Sequence, residues 1–147
     1  EVKCKNNKKK TIKKRLRVDK IADSLTQDQK KYVDDIIGDS LKVMPIQWIN
    51  FSRITLAHRQ KKERLTIDVN LDYHNDDFNG DLKNIIIAEV KQERMSRSSD
   101  FVRIAKEMKI YPIRISKYCY SSMQLDSSLK MNRFKEKQIF INKITQE

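Results

Sequence analysis

A chain of 147 residues, 38% hydrophobic and 35% charged, has material for about one domain with a modest core, and its net charge of +12 predicts attraction to polyanions. Cys4 and Cys119 are the only cysteines and lack CxxC spacing, which argues against a disulfide framework or zinc site and favours a reducing, cytoplasmic setting. No apolar run approaches the roughly 20 residues of a bilayer span, and no signal-peptide pattern opens the chain. The first ten residues, EVKCKNNKKK, start inside a strand pattern without an initiator Met, as expected of a fragment whose upstream part is missing.

In chain order, Glu1–Lys5 alternates charged and apolar residues, NNKKK reads as a polar turn, and TIKKRLRV (11–18) alternates again, which predicts a hairpin. Tyr32, Val33, Ile36 and Ile37 recur at helical spacing within 23–41, with Thr26 or Asp28 to cap the start and Gly38 to end it. QWINFSRITLAH (47–58) and ERLTIDVNLDY (63–73) read as strands joined by the polar turn RQKK, and HNDDFNGD (74–81) as a loop. LKNIIIAEVKQER (82–94) reads as one apolar strand with a charged end. SSDFVRIAKEMKI (98–110) is predicted to be an amphipathic helix capped by Ser98 or Ser99. IRISKYC after Pro112 reads as a short strand or extended segment, and 131–144 as a closing helix with Phe134, Ile141 and Ile144 as contacts. No repeat or low-complexity linker divides 1–147, so a single domain is expected.

The charged faces of these strands form a constellation. In ERLTIDVNLDY, Arg64, Thr66, Asp68 and Asn70 alternate with Leu65, Ile67, Val69 and Leu71. Across the strands the polar faces present Lys3, Lys5, Lys13, Arg15, Arg53, Arg64 and Lys91, with carboxylates at Glu1, Asp68, Glu89 and Glu93. If helices cover the apolar faces and the sheet curls, these cations point into a shared interior, where like charges repel unless a polyanion fills it. A basic strand face is more often a solvated one, and Lys and Arg also protect sheet edges. Glu89 among so many cations suits a hard divalent ion completed by phosphate oxygens, or equally a salt bridge to a neighbouring Lys or Arg. Aromatics interleaved with the basic positions, which would stack on bases, are almost absent, so neither DNA nor RNA is the expected partner. With Gly38 and Gly80 the only glycines there is no Gly-rich phosphate loop, and side-chain cations must do that work.

EVKCKNNKKKTIKKRL, FSRITLAHRQKKERLTIDVNL, IIIAEVKQER, ISKYC and NRFK, taken in this order, resemble the VTC (vacuolar transporter chaperone) domain, the polyphosphate polymerase branch of the CYTH/triphosphate tunnel superfamily. The resemblance runs from residue 1 to about 135. It implies an α+β fold, an antiparallel tunnel (an open or incomplete barrel) with helices packed outside. There a nucleoside triphosphate or phosphate chain binds with Mn²⁺ or Mg²⁺, and polymerase members move the γ-phosphate of ATP onto polyphosphate. By resemblance Lys3, Lys13, Arg53, Arg64 and Lys91 contact phosphate, Glu89 binds the metal, and Lys117 is needed for transfer. Lys5, Arg15, Asp68 and Glu1 are supporting candidates. Two departures stand out: the family's upstream basic strand and R-x-R hairpin do not precede EVK, and Tyr120 stands where the family commonly has Gly. An inorganic triphosphatase or nucleotide hydrolase on the same fold, and a non-catalytic polyphosphate-binding module, are the alternative readings.

Overall fold

The structure, a computed structural model, describes residues 1–5, 10–21, 24–38, 43–93 and 99–145. It resolves into two units, Glu1–Ile46 and Gln47–Glu147. In the first, strands β1 (Val2–Lys5) and β2 (Thr11–Lys14) pair antiparallel, Lys3 opposite Lys13 and Cys4 opposite Ile12. This is the hairpin that alternation predicts, although its connecting residues 6–9 lie outside the described ones. Helix α1 (Gln27–Ile37) is shorter than its periodic pattern. Thr26 caps it reciprocally, its hydroxyl accepting from Gln29 N–H while the Gln29 side chain accepts from Thr26 N–H. Gly38, at φ +86°, ends it with its N–H on the Asp34 carbonyl.

The second unit is built on two long strands, β3 (Trp48–Ala57) and β4 (Glu63–His74), paired antiparallel along their length. The turn between them is held by His58, whose Nδ1 accepts from the N–H groups of Gln60 and Lys61, both at 3.0 Å. The other edge of β4 is shared end to end by β5 (Asn79–Leu82), opposite 71–74, and β6 (Ile87–Gln92), opposite 63–68. The resulting four-stranded antiparallel sheet is open and not a closed barrel. Helices α2 (Asp100–Glu107), α3 (Lys117–Leu125) and α4 (Lys135–Thr145) complete an α+β fold.

Three local expectations are corrected. The loop expected over 74–81 contains β5: Asn75 Oδ1 accepts from Asp77 and Phe78 N–H groups, and the chain turns back onto β4. Gly80 permits that return, because a Cβ there would lie 2.6 Å from the Tyr73 hydroxyl. The strand expected over 82–94 is consequently split between β5 and β6. Of the extended segment expected at IRISKYC, only the part up to Ser116 stays out of helix; Lys117–Cys119 open helix α3, capped by the Ser116 hydroxyl, which accepts from Cys119 N–H.

A fourth correction concerns faces. Between the pairs Ser52–Val69 and Asn50–Asp72, β4 uses one residue more than β3, and Asn70 takes a left-handed φ of +53°. This bulge reverses the alternation. Leu71 therefore leaves the side of Leu65, Ile67 and Val69 and joins that of Thr66 and Asp68, as does Tyr73. Leu71 and Tyr73 head the core, with Leu82, Ile85, Tyr120, Leu125 and Ile141. The Tyr73 and Tyr120 rings meet edge-to-face at 6.2 Å. Burial pushes the Tyr73 phenol up to about 12. Helix α3 thus seats on the face that carries Asp68, whereas on the opposite face Ile54 and Leu56 stay half exposed.

Candidate functional site

Directly opposed residues of an antiparallel pair share a face, so the register alone assembles the site. Three rungs cross from β3 through β4 to β6: Ala57, Arg64 and Lys91; Thr55, Thr66 and Glu89; Arg53, Asp68 and Ile87. Arg53, Arg64, Glu89 and Lys91 therefore stand on one face, with Arg64 and Asp68 about 14 Å apart along the strand. Past the bulge the same face turns apolar and receives α3.

Lys117, the first residue of α3, meets Asp68 on this face. The Asp68 carboxylate is 2% exposed and accepts two parallel hydrogen bonds from Arg53, Nε at 2.6 Å and Nη2 at 2.8 Å. Lys117 Nζ lies 2.5 Å from Oδ2. Arg53, foremost, and then Lys117 hold the Asp68 carboxyl at about 2, against the pull of burial in the other direction. Arg53 is raised in turn, first by its hydrogen bonds with Asp68. The Phe51 ring lies beneath both cations, 5.0 Å from the Arg53 guanidinium carbon and 4.9 Å from Lys117 Nζ. Buried Thr66 separates this cluster from Arg64 and Lys91.

Glu89 is half exposed, and its nearest ion-pair partner is Lys91, 3.5 Å away. Among the described residues no three His, Cys, Asp or Glu side chains converge in the manner of a protein-only metal cage. A lone, accessible carboxylate does suit an ion that takes most of its oxygens from phosphate and water. Asp68, with both oxygens occupied by cations, does not offer a second ligand.

At the β3–β4 turn an open depression is lined by Ala57, His58, Lys61, Lys62, Arg64 and Lys91, with Glu63 and Gln92. His58 Nε2 sits 3.3 Å from Asp100 Oδ2, which also receives Lys61 at 2.9 Å. His58 is thereby a turn-holding residue. The remaining predicted cations, Lys3, Lys5, Lys13 and Arg15, belong to the first unit. On the hairpin Lys3 stands opposite Lys13, and Glu1 joins Lys3 at 3.0 Å and also hydrogen-bonds Arg15. Arg15, foremost, and Lys3 hold the Glu1 carboxyl at about 2.

Residue order gives Asp68 only a supporting place and assigns Phe51 no part in the site. A signal was available for both. Counting outward equally from the RQKK turn sets Arg53 opposite Asp68, and Phe51 follows two residues on along the same face of β3.

The VTC domain family model matches residues 1–126. No curated protein and no solved structure gives a significant match. Among the described residues no helix is long and apolar enough to cross a membrane. The ordered basic face and the family match over most of its length agree: this chain belongs to the VTC domain family, whose members have polyphosphate polymerase-related functions.

Proposed function

We propose that this protein is a phosphotransferase that moves the γ-phosphate of ATP onto a growing polyphosphate chain. The observation that supports it most is the register that sets Arg53, Arg64, Lys91 and Glu89 on one face, with Lys117 delivered beside them by α3. Four cations against two carboxylates give that face a surplus of positive charge spread over more than one phosphate's length, as a chain of phosphates requires.

In this reading Arg53, Arg64 and Lys91 grip successive phosphates, and Lys117 orients the terminal phosphate of the acceptor. An acceptor phosphate oxygen forms the new bond to the γ-phosphorus as the bond from that phosphorus to the β–γ bridging oxygen breaks, and ADP leaves with the electron pair. The acceptor is already anionic, so no side chain has to abstract a proton. Glu89 would hold Mn²⁺ or Mg²⁺, which when bound neutralises charge on the diphosphate leaving group. Lys3, Lys5, Lys13 and Arg15 of the first unit are further phosphate-binding cations in this proposal.

Incubation of the protein with ATP and Mn²⁺, followed by sizing of the phosphate products, tests it. Long chains support the polymerase; orthophosphate alone replaces it with a hydrolase. Tight polyphosphate binding without turnover replaces it with a binding module.

A further inference from the structure

We propose that Asp68 is a positioning residue, which gathers Arg53 of β3 and Lys117 of α3 to one point of the basic face and aims them at a bound phosphate chain without touching that chain. The inference rests on the polyphosphate reading and goes beyond it. A carboxylate in a phosphate site would ordinarily weaken binding by repulsion, so its presence calls for a reason.

The geometry supplies one. Asp68 is 2% exposed, and its two oxygens are taken by Arg53 at 2.6 and 2.8 Å and by Lys117 at 2.5 Å. It has neither the access nor the spare acceptors for a metal or a phosphate proton. Its partners differ: the Arg53 side chain is 39% exposed and the Lys117 side chain 19%, so both reach past Asp68 toward solvent. A guanidinium carries five N–H donors and an ammonium three, of which Asp68 consumes two and one. The rest remain for phosphate oxygens. Without Asp68 the two cations, drawn from separate elements onto one Phe51 ring, would repel each other and splay.

Repulsion and positioning predict opposite signs when the charge is removed, which makes the idea decidable. The test is calorimetric titration of the whole protein with inorganic triphosphate, metal chelated, at fixed salt. For Asp68→Asn the expected result is about tenfold weaker binding although a negative charge has been removed. Lys117→Met is expected to cost less in the Asp68→Asn background than in the wild type, because a splayed Lys117 has less to lose. Asp68→Glu, which restores the carboxylate, is expected to bind more tightly than Asp68→Asn. Equal or tighter binding by Asp68→Asn overturns the inference and leaves the polyphosphate reading standing; failure of the wild type to bind triphosphate overturns both. Should Asp68→Asn fail to fold, Arg53→Lys takes its place, keeping the charge while removing the two-point grip. About a tenfold loss is then expected, and unchanged affinity overturns the inference.

Discussion

Arg53 and Asp68 lie directly opposite each other on β3 and β4 and are joined by two parallel hydrogen bonds, with the carboxylate buried and the guanidinium partly in solvent. Such a pair is asymmetric. Removing Arg53 leaves a buried anion, while removing Asp68 leaves a cation that can reach water. Arg53→Met is therefore expected to destabilise the protein by about 2 kcal/mol. The double replacement Arg53→Met with Asp68→Leu should recover part of that loss in urea denaturation, and full additivity would contradict the coupling.

The same pair gives stability a defined acid dependence. The Asp68 carboxyl is depressed from its ordinary 3.8 to about 2, so the unfolded chain takes up the proton first as pH falls. Its stabilisation is complete above about pH 4 and disappears as pH falls through about 2. Glu1, also held at about 2 by Arg15 and Lys3, is on the surface, and salt screens it. Denaturation midpoints measured between these pH values in about 1 M salt should fall with acid, and Asp68→Asn should flatten the slope.

Glu89 offers a contrast between binding and turnover. Glu89→Gln is expected to abolish Mn²⁺-dependent phosphate-chain synthesis. Metal-free triphosphate binding should hold or rise, since a carboxylate 3.5 Å from Lys91 has been neutralised. Product sizing and calorimetry on one preparation check both halves, and retained synthesis would remove Glu89 from the metal site.

Gly80 should be intolerant of even one methyl group. The Tyr73 ring above it is buried and wedged against Tyr120, so it cannot simply swing away. Gly80→Ala is expected to cost about 1–3 kcal/mol and to add little once Tyr73 is already Ala. Thermal melts of the two single variants and the double variant decide it.

Much of this was legible in residue order, and what was hidden has physical causes. Alternation in FSRITLA, ERLTID and AEVKQ places Arg53, Arg64 and Glu89 on one face, because a half-buried strand must separate its side chains by solvent preference. Thr26, Ser99 and Gly38 mark helix ends by hydrogen-bond chemistry that any sequence displays. Strand β5 was hidden because Asn79-Gly80-Asp81 has poor strand propensity and is held by β4 and the Tyr73 ring. Helix α3 was hidden because the residues around its start read as extended, although Ser116 offers a cap and Tyr120 and Met123 recur at helical spacing. The bulge was hidden most completely. LTIDVNLDY alternates without a break, and only Asn70, a residue at ease with positive φ, betrays the insertion.

That insertion can be probed directly. Asn70→Gly should leave stability unchanged or slightly raised, whereas Asn70→Val, strained at φ +53°, should lose about 1–2 kcal/mol in chemical denaturation.

A single surplus residue in β4 lets one side of the ribbon be wet over its first half and dry over its second. The anchoring half packs the core of the second unit, and the reading half carries the cations at 53, 64 and 91. Drawing β4 straight with Asn70 still in it would swing Leu71 and Tyr73 to the far side and uncouple Lys117 from its aspartate in one stroke, whereas excising Asn70 would leave both on the Asp68 side. Grip on an anionic chain and integrity of the hydrophobic interior thus depend on the same backbone kink.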